Sequence, residues 1–118
     1  MAKTGQDFEV YQGSDKRMVF SIDVQVSGSL VDPEVIWTLG DSPYSEENIM
    51  RITREDGDIE YDPQEEKASV RLKAEDTAKL KPRRFYHELW LVSDTGFAKP
   101  AATGNVTVIA SLEGKERE

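Results

Sequence analysis

His87 is the single histidine of the chain, and cysteine is absent. It is therefore the natural candidate for proton transfer at neutral pH. It stands in line with Phe85 and Leu89. A general base needs a nucleophile or an orienting carboxylate close in space, and no residue pattern nominates one. The competing reading is an inward histidine hydrogen-bonded to a neighbour across a sheet, and the apolar flanks favour it. Zinc would have to combine this histidine with carboxylates alone, which is not how zinc sites are usually built.

A second candidate is the acidic run Asp56, Asp58, Glu60 and Asp62. Calcium takes several oxygen ligands, and loops with acids at alternate positions supply them. The calcium-loop pattern also wants glycine at its sixth position and glutamate at its twelfth. Counted from Asp56, those positions hold Tyr61 and Lys67. Strand alternation would send residues 58, 60 and 62 outward as a solvated face, so no metal is assigned. Glycine patterns that cradle phosphate and the nucleophile-elbow pattern are both missing. The expectation is a protein without catalytic residues and without a cofactor.

Tryptophan marks two further positions. Trp37 shares a face with Val35 and Leu39, which makes it a core residue. Trp90 shares the opposite alternation with Tyr86 and Val92, so it is either covered by a neighbouring loop or by the Ala74–Leu80 turn, or part of a contact patch. Tyrosine and tryptophan are enriched at interfaces, and Tyr86, Trp90 and Val92 are the candidate interaction face.

These residues must be placed by strands. Arg83 to Ser93 alternates Phe85, His87, Leu89 and Leu91 with Tyr86, Glu88, Trp90 and Val92. Large apolar groups on both faces predict a central strand. Met18 to Val26 alternates more cleanly, with Phe20, Ile22 and Val24 inward. Phe8–Tyr11, Glu34–Leu39, Asn48–Thr53, Ile59–Tyr61, Lys67–Lys73 and Asn105–Ile109 complete the set. Asp56-Gly57 is a hairpin signal, with Ile59–Tyr61 returning from it. Ala74–Leu80 is the one helix-favouring piece, one or two turns long, stopped by Pro82. The expected core is Phe20, Ile22, Val24, Val35, Trp37, Leu39, Val70, Leu72, Phe85, Leu89 and Leu91.

About seven to nine short strands with turn signals between them predict an all-β sandwich; patterning alone leaves a barrel open. Residues 1–7 form a polar leader expected to be flexible, 8–112 a single domain, and 113–118 a charged tail expected to be disordered. At 118 residues the chain has one core, with 37% hydrophobic and 32% charged residues. Its formal net charge is -8, from 23 acidic against 15 basic residues. Phosphate backbones are held by clustered lysine and arginine, so nucleic acid is not an expected partner. No apolar run is long enough to span a bilayer.

The order of motifs resembles a known family. Leu72-Lys-Ala-Glu-Asp-Thr-Ala-Lys-Leu80 is followed by a proline, then Phe85 to Leu89, then Asp94-Thr-Gly96. Val31-Asp32 and the Val35-x-Trp37-x-Leu39 strand stand ahead of it, and Gly104-Asn-Val-Thr-Val108 after it. Together these are similar to the immunoglobulin-like domain of tailed-bacteriophage baseplate and tail proteins, in particular the N-terminal domain of baseplate upper proteins. The chain departs from that pattern at Pro82-Arg83-Arg84, where Pro-Gly is common, and at His87, where a second aromatic is common. The resemblance implies an immunoglobulin-like antiparallel β-sandwich with one helical turn near 74–80. It also implies a structural component of a phage or prophage particle, located in the virion and made in the bacterial host cytoplasm. Its partners would be other particle proteins or a second copy. A ligand-binding sandwich, for carbohydrate or calcium, is the alternative. The Ala-Glu-Asp-Thr-Ala run is also similar to antibody variable domains, but without cysteine no antibody-type disulfide is possible.

Overall fold

The computed structural model describes residues 4–22, 33–45, 47–62, 64–93 and 98–111. Within them lie β1 (Phe8–Tyr11), β2 (Lys16–Ser21), β3 (Glu34–Gly40), β4 (Met50–Thr53), β5 (Ile59–Asp62), β6 (Lys67–Leu72), α1 (Ala74–Ala78), β7 (Arg84–Val92) and β8 (Ala98–Ile109). Five strands form one sheet in the order β1-β8-β7-β3-β4, and three form the other in the order β2-β6-β5. Two separate sheets make a sandwich and remove the barrel alternative.

β7 is the middle strand of the larger sheet, as its two apolar rows predict. Trp37 of β3 stands opposite Leu89 of β7, and Leu39 opposite His87. On the other side His87 faces Gly104 of β8 and Phe85 faces Val106. In the smaller sheet Met18 faces Val70 and Phe20 faces Ala68. Alternation drives one row from each strand inward. Phe20, Ile22, Val35, Trp37, Leu39, Val70, Leu72, Phe85, Leu89 and Leu91 are all buried, joined by Met18, Val106 and Val108. Val24, expected beside them, lies outside the described residues, as do Val26, the turn at Asp94-Thr-Gly96 and the 113–118 tail.

Several expectations are corrected. Asp56-Gly57 makes a turn but closes no hairpin. The Asp56 and Gly57 amides donate to the Thr53 and Arg54 carbonyls, and Gly57 takes a φ of 90°. However, β4 belongs to the larger sheet and β5 to the smaller one. The turn passes the chain between layers, so that Ile59 can be buried opposite Val70. β5 instead forms a hairpin with β6, where Asp62 Oδ1 accepts from the Gln64 and Glu65 amides at 3.1 and 3.2 Å.

The ladders are also not all antiparallel. β1 runs parallel to β8, from Phe8 opposite Val106 to Tyr11 opposite Ile109. Parallel neighbours need a long connection, and here the rest of the domain supplies it. β8 begins at Ala98, well ahead of the Asn105 read from alternation. Pro100 lacks an amide and Ala101 and Ala102 are both buried, which hides the period of two. The register shift between Leu89 and Trp90 accommodates them.

Smaller differences concern ends. β2 stops at Ser21, although the Ile22 amide still bonds the Glu66 carbonyl at 2.8 Å. β4 starts at Met50 rather than Asn48. α1 is five residues, shorter than Ala74–Leu80. Within the 1–7 leader, Gln6 and Asp7 are held by hydrogen bonds to β8, and these two positions shape the site below.

Candidate functional site

His87 sits at the centre of the sandwich with no exposed surface. Strand alternation turns it inward from β7. The rings of Phe20, Phe8 and Trp37 lie 5.2, 5.8 and 6.1 Å from it, centroid to centroid. Trp37 Nε1 donates to His87 Nδ1 at 2.9 Å across the β3–β7 pair. That bond leaves Nδ1 without a proton, so in the neutral ring Nε2 carries it. Nε2 accordingly donates to the Gln6 carbonyl at 2.6 Å. Burial pulls the histidine below its ordinary value of 6.5, opposed by the Gln6 carbonyl and by the Asp7 carboxylate.

Both ring nitrogens are thus committed, one to a tryptophan and one to the backbone. A general base needs a nitrogen free to reach a substrate proton. This histidine is the cross-sheet hydrogen-bonding residue that its apolar flanks imply. Gln6 was not legible as its partner, because nothing in a polar leader marks which residue folds back.

The outer row of β7 is organised differently. Tyr86, Glu88, Trp90 and Val92 are each half-buried on the face turned away from the core. Trp90 Nε1 donates to Glu88 Oε2 at 2.7 Å. Tyr86 hydrogen-bonds the same carboxylate, and burial, followed by the Glu88 charge and that bond, raises the tyrosine above its ordinary value. One carboxylate therefore fixes the aromatic residues on either side of it. Ile36 lies beside Trp90 on β3, and Pro100 beside it on β8. The result is a set of oriented aromatic and aliphatic groups on a strand platform. α1 does not cover this face through any hydrogen bond described for it. Its Ala74 amide donates to Asp15 Oδ1 at 2.9 Å, and Thr77 Oγ1 donates to the Ser14 carbonyl at 2.8 Å. Glu88 is the site residue that sequence reasoning passed over. Its signal was an acid between aromatics at alternate positions of one strand.

The acidic run does not converge. Asp58 pairs with Lys73 at 3.5 Å, Glu60 with Arg17 at 3.7 Å, and Asp62 serves the β5–β6 turn. Among the described residues no group of three or more His, Cys, Asp or Glu side chains is placed to hold a metal. No helix among them is long and apolar enough to cross a membrane. A groove of about 180 Å³ beside Tyr86 and Glu88 is lined by Thr38, Ser42, Ser45 and Asn48. Tyr44, on the same loop, is 91% exposed.

No family model matches the chain, and no curated protein matches it. Solved structures do. The teleost fish polymeric immunoglobulin receptor ectodomain superposes with a TM-score of 0.54 at 14% identity, over 90% of this chain. The chain spans about half of that ectodomain, 49% of its length. At that identity the likeness carries the architecture alone. The fold is an all-β, immunoglobulin-like sandwich.

Proposed function

We propose that this protein is a non-enzymatic assembly module of a phage or prophage particle, working through the outer face of its larger sheet. The observation that carries this reading is the half-buried row Tyr86–Glu88–Trp90–Val92, with its two aromatics held by one carboxylate. Oriented aromatics lose little side-chain freedom on docking, which is what makes them effective anchors. The order of short motifs from Leu72 to Gly96 supports the particle context. The partner is then another particle protein or a second copy, and the working location the virion.

Light scattering after size exclusion tests the reading, on the protein alone and mixed with a phage tail protein. Trp90→Ser should weaken association while shifting the melting temperature by less than about 4 °C, the scale of 1 kcal/mol in a domain of this size. A much larger fall would make Trp90 a core residue and remove the face.

One observation favours a second reading. The hydroxyl- and amide-lined groove by Tyr86, next to exposed Tyr44, has the composition of a carbohydrate subsite. A glycan panel in a thermal-shift assay would support it by stabilisation. A calcium titration belongs in the same assay, and no stabilisation is expected from it, because the acidic run is dispersed.

A further inference from the structure

The residues ahead of β1 tie the two sheets together at one point. The Gln6 amide donates to the Thr103 carbonyl of β8 at 3.0 Å. Its side-chain Oε1 accepts from the Ser21 amide of β2 at 3.4 Å, and its carbonyl accepts from His87 Nε2 at 2.6 Å. Asp7 Oδ1 accepts from the Asn105 amide at 2.9 Å. Gly104, the β8 partner of His87, makes room for this crossing: a Cβ there would stand 2.2 Å from the Gln6 oxygen. A backbone pressed that closely over a histidine, with a carboxylate beside it, is more than a chain entering a strand.

We propose that Gly5–Asp7 is a strap latched by His87, and that protonation of the imidazole unlatches it while the sandwich remains folded. Nδ1 is the nitrogen that must take the proton, and it is the one that accepts from Trp37. Once protonated it confronts the Trp37 N–H donor to donor. The positive ring is then buried among Phe8 of β1, Phe20 of β2 and Trp37 of β3, none of which carries a charge. Asp7 and the Gln6 carbonyl, both on the strap, favour the charged ring, so release is driven against them by the cost of burying that charge and by the lost Trp37 bond. Water reaches the ring with least disruption by lifting the strap, which breaks the few bonds named above. Burial outweighs the Asp7 and Gln6 contacts and holds the histidine below its ordinary value.

Amide exchange followed by NMR tests this, with rates corrected for intrinsic pH dependence, from about pH 7.5 to about pH 4.5 across the imidazole range. Protection at the Gln6 and Asn105 amides should fall severalfold beyond any loss at Val35–Leu39. The His87 ring resonances should titrate with the same midpoint. His87→Gln keeps a donor for the Gln6 carbonyl but cannot titrate, so its excess loss should vanish. Were that variant unfolded, Gly104→Ala decides: it displaces the strap at neutral pH, and the His87 midpoint should then rise toward its ordinary value. Strap and β3 amides losing protection together in one transition would overturn the proposal. So would a titrating His87 with an unmoved Gln6 amide, or an unshifted midpoint in Gly104→Ala.

Discussion

Trp37 and His87 form a buried polar pair whose members satisfy one another, and its energetics follow from that. Trp37→Phe deletes the donor, orphans Nδ1 and leaves a small void at a position with no exposed surface. We expect a loss of about 2–4 kcal/mol in urea unfolding, combining cavity and unpaired-acceptor costs; a loss under about 1 kcal/mol would mean that the pair is dispensable. The pH dependence has a definite sign. The folded state holds His87 below its ordinary value of 6.5, so the unfolded chain binds the proton first. This contribution is complete above that ordinary value and is lost as pH falls through it toward the folded value. Carboxylates also lose stability in acid, so wild type minus His87→Gln is the quantity to follow. That difference should decline with falling pH, and a flat difference would contradict the burial of the ring.

At the level of elements, α1 shows how a short helix survives in a β protein. Five residues cannot hold a helix in isolation, and the Lys73 N-cap offers no side-chain bond to it. Its first amide is capped from the β1–β2 turn by Asp15 instead, and Thr77, fully buried, bonds the Ser14 carbonyl. Gln12 closes the same junction, with Nε2 donating to the Leu80 carbonyl at 2.9 Å. Asp15→Ala should cost about 0.5–2 kcal/mol, the range for losing an N-cap. Exchange should rise at the Ala74 amide before it rises in β6. Pro100 illustrates the converse case, an element extended past a residue that argues against it. It is tolerated because the shift at Leu89/Trp90 relaxes the ladder where its amide is missing.

Taken as a whole, the molecule has one core shared by two sheets, with Phe20 of the smaller sheet against Phe8 and His87 of the larger at 5.1 and 5.2 Å. The sheets should therefore unfold as a unit. Phe20→Ala is expected to remove about 3–5 kcal/mol, and equally from the amides of β3, β6 and β7. Separate transitions for the two sheets would break this picture. The net charge of -8 bears on association at the same scale, since self-repulsion opposes pairing of two copies. Raising the salt concentration should thus strengthen any homodimer and weaken binding to a basic partner.

Periodicity alone determined the strands that carry a continuous apolar row. Trp37 and Leu89 are inward, and Trp90 is outward, because a strand alternates its side chains whatever surrounds it. The same rule put His87 in the core and Glu88 on the outer face. What a period of two does not encode is which strand lies beside which. Asp56-Gly57 has hairpin chemistry, yet the chain changes layers there, since the demand to bury Ile59 opposite Val70 acts across the whole fold. The parallel β1–β8 pair, the capping of α1 by Asp15 and the Gln6 contact with His87 join residues far apart in sequence. Contacts of that kind exist only once the sheets have closed on each other, so the tertiary structure alone decides them.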